Sequence, residues 1–143
     1  MIVGFHFTKI HIEQHSPLKG KVSVNNNIDI SRLTEHDYSL KTKQKTLNFH
    51  FVFTVDYRTN IGQIALEGDV LYLADEQRVK QILQQWKSKK KLPPEESTLI
   101  LNTVLTRCNI KALELSQELN LPPHLPLPKV NFQTQSLAEN YIG

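Results

Sequence analysis

The stretch Leu47-Asn-Phe-His-Phe-Val-Phe-Thr-Val55 carries the strongest strand pattern in the chain, with an apolar residue at each odd-numbered position. Because a β-strand sends alternate side chains to opposite faces, these apolar residues all share one face. Other apolar side chains have to cover that face so that it is removed from water. Turn-forming residues at 57–60 and a second apolar run at 61–73 follow directly, so the two runs are predicted to form an antiparallel hairpin.

Two weaker strands are predicted before this hairpin. Residues 5–12 alternate between apolar and polar side chains with a one-residue slip, which indicates a β-bulge near Thr8 and Lys9. Residues 22–30 alternate again, although three consecutive asparagines lower their strand propensity. Residues 31–46 are mostly polar and are predicted to be a long, exposed connection.

Helical periodicity replaces strand periodicity after the hairpin. The apolar residues of a first helix recur at intervals of three and four positions, namely at Val79, Ile82, Leu83 and Trp86. Asp75 is expected to cap this helix, and Pro93 and Pro94 are expected to end it and to begin a second, longer helix. The apolar stripe of the second helix spans residues 101–119 and includes Cys108, which is therefore predicted to be a small buried residue rather than a nucleophile.

The prolines within residues 121–128 exclude a helix or a central strand and predict an extended segment. Residues 131–142 are expected to form one more short helix. Four antiparallel strands followed by two helices packed on one face of the sheet make an α+β architecture. We expect one domain over residues 1–143, with the sheet in 1–73, the two helices in 75–120, and the extended proline-rich segment and C-terminal tail in 121–143.

The composition indicates a folded protein with a small positive charge. Lys and Arg number 17 against 14 Asp and Glu, for a formal net charge of +3, and the lysines form two short groups at 41–45 and 87–91. These groups fall in predicted loops and helix ends, which favours a solvated surface over a nucleic-acid interface. A single cysteine excludes an internal disulfide and fits a reducing compartment. With neither a leader nor a membrane span expected, we predict a cytoplasmic protein without membrane insertion.

No pattern typical of catalysis is present, so we expect neither an enzyme nor a cofactor or metal site. The glycines form no phosphate-binding loop, and no nucleophile has a recognisable setting. The histidines share no ligand spacing and are predicted to lie on the surface or on strand faces. The carboxylates of Asp56, Glu67 and Asp69 are expected to be solvated. Residues 110–121 are similar to the first helix of a helix-turn-helix, but the prolines that follow exclude a recognition helix.

The order of these parts resembles the SecB family of export chaperones, and three stretches carry the resemblance. Residues 5–10 share the spacing of the family's first strand, and residues 47–73 occupy the place of its two central strands. The most specific stretch is Leu125-Pro-Leu-Pro-Lys-Val-Asn-Phe132, with Asn140-Tyr141 a few residues on. It is similar to the family's leucine-x-proline-valine-asparagine-phenylalanine segment, from which it departs by the extra Lys129.

The resemblance implies a holdase, a chaperone that binds unfolded or precursor polypeptides without nucleotide, metal or other cofactor. It further implies a homo-oligomer, a dimer of dimers paired through strand edges and helices. Client-binding grooves are implied between the sheet, the long connection and the second helix with its flanking loop. By position, the candidate groove residues are Leu18, Leu33, Tyr38, Leu40, Leu125, Leu127 and Phe132.

Charge separates this chain from the bacterial members of the family. Those proteins are strongly acidic and dock on the SecA motor through that acidity, whereas this chain is slightly basic. The difference argues against SecA docking and favours a stand-alone or archaeal-type relative, similar to uncharacterised archaeal proteins of this plan.

Two points stay open on the sequence alone. Tyr38 and Leu40 are apolar residues in a polar stretch. They could line a client groove or, equally well, pack against the protein's own core. The lysine groups are compatible with a different function, that of a small basic accessory protein that binds RNA or a ribonucleoprotein. Such binding would weaken steeply with salt, because displaced counterions drive it.

Overall fold

The computed structural model describes residues 1–17, 20–36 and 43–130. Four strands come first along the chain and two helices follow: β1 Ile2–Gln14, β2 Ser23–His36, β3 Gln44–Arg58, β4 Gly62–Asp75, α1 Glu76–Lys89 and α2 Pro94–Glu118. All neighbouring strands are antiparallel in the order β1-β4-β3-β2, and both helices pack on one face of this sheet. The α+β class predicted from the sequence is confirmed.

The strand β3 supplies the centre of the core. Its side chains at odd-numbered positions from Leu47 to Tyr57 are at most 1% exposed, and they lie beneath the helices with β4 on one side and β2 on the other. The apolar face that the sequence predicted to need a cover is therefore the face that the helices cover. The other buried apolar residues of this core are Ile30, Ile64, Leu66, Val70, Tyr72, Val79, Ile82, Ile100, Val104, Cys108, Ala112 and Leu121.

The predicted β-bulge in β1 is confirmed, because the register shifts between Phe7 and Lys9. The shift returns Ile12 to the helix-covered face of the sheet, which Phe7 also occupies. It also places His6 and His11 together on the opposite face, which we call the uncovered face. One bulge thus decides which side chains of β1 enter the core and which meet solvent.

The strands β2 and β3 are longer than the sequence predicted. Residues 31–36 extend β2 along β3, and residues 44–46 extend β3 along β4, so the expectation of an exposed connection over both stretches was wrong. Pairing here rests on main-chain hydrogen bonds, which polar residues at a sheet edge form without apolar alternation. A second bulge at Ser31 places Leu33 opposite Phe49 on the helix-covered face. The remainder of the predicted connection, residues 37–42, lies outside the described residues.

The N-cap predicted for α1 is present, and Lys90 supplies a C-cap that was not predicted. The main-chain N–H of Arg78 donates a hydrogen bond of 2.8 Å to the Asp75 carboxylate, which satisfies one free donor at the helix start. At the other end Lys90 takes a left-handed conformation with φ 54°, and its N–H donates to the carbonyl oxygen of Trp86. The chain then turns through Leu92 into α2. None of the helices in the ranges described is long and apolar enough to cross a membrane.

A buried ion pair joins the two helices and was not predicted. The Arg78 guanidinium donates two hydrogen bonds of 2.6 Å to the carboxylate of Glu96, which is only 2% exposed. Burial is the largest single influence on the pKa of Glu96 and would raise it. The hydrogen bonds and charge of Arg78, together with a main-chain hydrogen bond and one from Tyr72, outweigh burial and hold that pKa below its usual value. Because a buried carboxylate without this partner would be costly, the pair fixes how α1 and α2 lie relative to each other.

Gly68 in β4 makes room for a cluster of aromatic rings. The ring of Phe51 lies against those of Phe5 and Phe7, with centroids 5.2 and 6.1 Å away. A Cβ atom at position 68 would stand 2.7 Å from the Phe51 ring and 2.3 Å from the main-chain oxygen of His6. Since that oxygen belongs to the neighbouring strand β1, it cannot move aside without disturbing the sheet.

We predict that Gly68→Ala lowers the free energy of unfolding by about 2 kcal/mol, the middle of the range for overpacked sites. Urea denaturation measures this difference. Gly4→Ala is a matched control, because its added Cβ meets only the Leu71 side chain, at 3.1 Å, and that side chain can shift. A Gly68→Ala protein as stable as the wild type would contradict the packing described for β1, β3 and β4.

Candidate functional site

An open cleft of about 290 Å³ lies between β2 and the region where α1 ends and α2 begins. The strand β2 contributes Ile28 and Ile30, and the helical side contributes Trp86, Leu92 and Leu101. We call this space the β2 cleft. Its apolar side chains are buried or half-buried, and they border a space that is open to solvent. The β2 cleft is therefore a partly apolar surface that another molecule can reach.

The strand that borders the cleft is an edge of the sheet. Within residues 1–17, 20–36 and 43–130, β2 has a strand partner only in β3, so the main-chain groups on its outer side have no partner within the sheet. An extended peptide can pair with such an edge through main-chain hydrogen bonds while its side chains enter neighbouring pockets. An apolar cleft and a free strand edge thus lie side by side.

Two lysines complete the lining of the β2 cleft. Lys90 and Lys91 follow directly after the end of α1, and both border the cleft. The ammonium of Lys90 lies 5.6 Å from the centre of the Trp86 ring, which is a cation–π contact. The sequence predicted these lysines to be a solvated surface, and they are exposed, but their place beside an apolar cleft was not predicted.

The proline-rich segment after α2 packs beside the same strand. The Asn26 side chain donates a hydrogen bond of 3.4 Å to the carbonyl oxygen of His124, whose ring lies edge-on to Phe53 at 6.1 Å. The Tyr57 hydroxyl donates a hydrogen bond of 2.8 Å to the carbonyl oxygen of Pro122. The segment 121–130 forms neither helix nor strand, as its prolines predicted.

A chain of charged contacts crosses the uncovered face of the sheet. The Asp69 carboxylate lies 3.2 Å from the ring of His6 and 2.9 Å from that of His50, and Glu67 lies 3.3 Å from His50 and 3.4 Å from Lys9. The hydrogen bond from His50 is the main cause that lowers the pKa of Glu67. The expectation that Glu67 and Asp69 are solvated was wrong, because strand register brings these partners together. In the described part of the chain no cluster of three or more side chains suits a metal ion.

The single cysteine lies in the core, as predicted. Cys108 in α2 is fully buried, and burial raises the pKa of its thiol to about 12. The thiolate is the nucleophilic form of cysteine, and it is scarcely populated at neutral pH with such a pKa. Cys108 is therefore a packing residue.

Comparison with solved structures shows which fold these elements form. The chain is similar to the SecB-like chaperone of Mycobacterium tuberculosis, solved in complex with a ChAD peptide from the HigA1 antitoxin, with a TM-score of 0.55 and 12% sequence identity. The alignment covers 92% of this chain and 89% of that chain. The fold is SecB-like.

A protein of unknown function from Streptococcus agalactiae is also similar in structure, with a TM-score of 0.49, 8% identity, and coverage of 90% of this chain and 96% of that chain. A scan against protein families and a search of curated proteins both found no match.

The groove residues expected from the SecB resemblance are only partly brought together. Leu33 is half-buried on β2, on the face that Ile28 and Ile30 share. Leu125 is half-buried in the proline-rich segment, and Leu127 is 46% exposed. The other predicted groove residues lie outside the described residues, namely Leu18, Tyr38, Leu40 and Phe132.

Sequence reasoning missed the helical side of the β2 cleft. Trp86 and Leu101 lie on apolar helix stripes, and such stripes predict burial without showing whether the cover is the protein's own core or another molecule. One feature of the sequence could have pointed to the helical side of the cleft. The only tryptophan, Trp86, lies near the end of the predicted first helix and next to a lysine run.

His124 departs from the predicted surface location. It is 6% exposed, its Nε2 lies 2.9 Å from the side-chain oxygen of Asn109, and its Nδ1 has no hydrogen-bond partner among the described residues. Burial lowers the pKa of this imidazole. Since the Nε2 contact is with a neutral amide and Nδ1 is unpaired, the site favours the uncharged ring, and protonation opposes the docking of the proline-rich segment.

We predict that His124 makes the folded state less stable in mild acid. Its pKa is lower in the folded state, so its contribution to stability is complete above the ordinary histidine value of about 6.5 and is lost as the pH falls toward the folded-state value. The loss approaches about 1.4 kcal/mol per pH unit. Urea denaturation of the wild type and of His124→Gln at pH 7 and pH 5 measures it.

His15→Gln is the control, because His15 is exposed on the surface. The loss of unfolding free energy between pH 7 and pH 5 should be smaller in His124→Gln than in the wild type. In His15→Gln it should equal the wild-type loss. An unchanged difference in His124→Gln would show that the buried imidazole does not carry the acid sensitivity.

Proposed function

We propose that this protein is a holdase chaperone that binds extended, non-native segments of other polypeptides in the β2 cleft. The observation that carries the proposal is the joint presence of an apolar cleft and a free strand edge within a SecB-like fold. Non-native chains offer the matching features, namely unpaired main-chain groups and apolar side chains that alternate along an extended segment.

The size of the cleft suits this ligand. At about 290 Å³ it lies near the lower limit of pockets that enclose small molecules, which is roughly 300 Å³. A cleft of this size admits a few side chains of an extended segment and excludes a folded domain. Selection for unfolded chains would then follow from shape and apolarity, without any covalent step. We propose no catalytic activity and no cofactor.

The solved SecB-like chaperone with a bound antitoxin peptide supports polypeptide binding as the function of this fold. By analogy, we propose that Leu33, Leu125 and Leu127 extend the binding surface along β2 beyond the cleft. Leu127 and Val130 are 46% and 67% exposed and are therefore accessible to a ligand.

We also propose that the chain assembles as a homo-oligomer, a dimer of dimers, and acts in the cytoplasm. The strand β1 is the other edge of the sheet, and its side chains Val3 and Ile10 are 49% and 50% exposed. Such an edge favours pairing with a second copy of the chain. The lone buried cysteine fits a reducing compartment.

The alternative of RNA binding has less support. Several basic side chains are already paired with carboxylates and are spread over different elements, as shown by Lys9, Lys45, Arg78, Lys80 and Lys111. An RNA-binding surface requires basic residues gathered on one face. RNA therefore enters the following experiment as a competitor.

We predict that Leu101→Asn weakens the binding of an unfolded polypeptide by about tenfold, because a buried leucine contributes roughly 1.5–3 kcal/mol. Leu99→Asn is the matched control, since Leu99 lies on the same helix but on its outer, solvent-facing side and is 43% exposed. Trp86 is the only tryptophan of the chain and borders the cleft, so its fluorescence reports on binding of a client without tryptophan.

Circular dichroism would first establish that both variants are folded. The wild type and Leu99→Asn should bind the unfolded client, shift the Trp86 emission and suppress client aggregation, with no displacement by RNA or by the folded client. A wild type that neither shifts the emission nor suppresses aggregation at any ratio would refute the holdase function. If both variants lowered the affinity for the client equally, the client would bind outside the β2 cleft.

A further inference from the structure

The β2 cleft is lined by both apolar and polar residues, and positive side chains outnumber negative ones in its lining. Lys90 and Lys91 both border it, and Asp29 is the one acidic residue of its lining. In the register of β2 and β3, Asp29 lies opposite Val52, whereas its neighbours Ile28 and Ile30 lie opposite the buried Phe53 and Phe51. The Asp29 side chain therefore belongs to the uncovered face of the sheet, opposite to the face that Ile28 and Ile30 share.

The helix dipole does not account for these two lysines. Lys87 and Lys89 lie in the last turn of α1, where positive charge offsets the negative helix end. Lys90 and Lys91 come after that turn. The left-handed conformation of Lys90 and its N–H bond to Trp86 turn the chain here, and its ammonium lies over the Trp86 ring.

Neither lysine has a carboxylate within ion-pair distance among the residues that the structure describes. Lys9 and Lys111, by contrast, contact Glu67 and Glu114. What sets Lys90 and Lys91 apart from other lysines without such a contact, such as Lys87 and Lys89, is that they line the cleft. Two unpaired ammonium groups beside an apolar floor can meet acidic side chains of a ligand whose apolar side chain fills the cleft. They would repel basic side chains at the same positions.

We propose that the β2 cleft selects extended segments in which an apolar residue is flanked by aspartate or glutamate. This specificity rests on the holdase function proposed above and names the class of client within it. The lysine ammonium groups are exposed, so each contact is modest, and together they should favour acidic flanks over neutral ones by roughly three- to tenfold at low salt. The preference should shrink at high salt, where such contacts are screened.

The test uses the full-length protein and three synthetic peptides without tryptophan. The peptides share one apolar core and differ only in the residues beside it, which are glutamates, glutamines or lysines. Trp86 fluorescence measures each affinity at low and high salt. We expect the glutamate peptide to bind most tightly and the lysine peptide most weakly, with the three affinities converging at high salt.

A double substitution assigns the preference to the cleft. Lys90→Gln/Lys91→Gln should bring the glutamate and glutamine peptides to equal affinity. Lys21→Gln/Lys87→Gln removes the same charge at exposed positions that do not line the cleft and that, like Lys90 and Lys91, have no carboxylate within ion-pair distance among the described residues, and it should keep the preference. A preference lost equally in both double variants would reflect overall charge and would overturn the proposal.

The outcomes separate this inference from the holdase function. If the glutamine peptide binds and requires Leu101, but flanking charge has no effect, the holdase function stands and the acidic specificity is wrong. If no peptide binds, the holdase function itself fails. If an RNA oligonucleotide binds through Lys90 and Lys91 while the glutamate peptide does not, the lysines serve nucleic acid and the proposal is overturned.

Discussion

Along β3, every second side chain from Leu47 to Tyr57 is at most 1% exposed, and this one apolar face determines the rest of the architecture. A sheet face of this kind is unstable in water, so two helices have to lie across it. The buried Arg78–Glu96 pair then fixes how the helices lie relative to each other. The helices pack over β1, β3 and β4, and the β2 cleft lies between them and the edge strand β2.

The position of the cleft gives it properties that a core cavity lacks. Ile30 on its strand side is buried in the core, whereas Trp86 and Leu101 on its helical side are half-buried. The neighbouring strand edge supplies main-chain hydrogen-bonding groups. A site for an extended polypeptide uses both a strand edge and pockets. Main-chain hydrogen bonds to the edge give affinity, and pockets for the side chains of the ligand give specificity. Within the residues that the structure describes, the SecB-like fold thus places a strand edge beside a partly apolar cleft.

Much of the fold could be predicted from periodicity, because side-chain spacing reports directly on strands and helices. Alternation over residues 47–55 predicted the central strand, and the slip near Thr8 predicted the bulge that the structure contains. Residues 31–36 were missed, since edge-strand pairing through the main chain leaves no apolar pattern. Contacts such as that between His50 and Asp69 were missed as well, because they depend on register between strands, which spacing within one strand does not give.

The candidate site was harder to predict for the same physical reason. Leu33 was chosen by its position, and it does lie on the strand that borders the cleft. Trp86 and Leu101 were assigned to the core, since a helix stripe looks the same whether its cover is internal or external. Which part of a stripe stays open depends on where the helices end relative to the sheet, and that is a property of the assembled tertiary structure.

Hydrogen exchange with and without a permanently unfolded client tests the central claim most directly. Main-chain amides on the outer edge of β2 should exchange quickly in the free protein, because no described residue pairs with them in the sheet. We expect a bound client to protect amides at residues 28–33 and in the turn at 90–92, and to leave the β1 edge unchanged. Protection confined to β1 or to the outer side of α2, with β2 still exchanging freely, would contradict polypeptide binding in the β2 cleft.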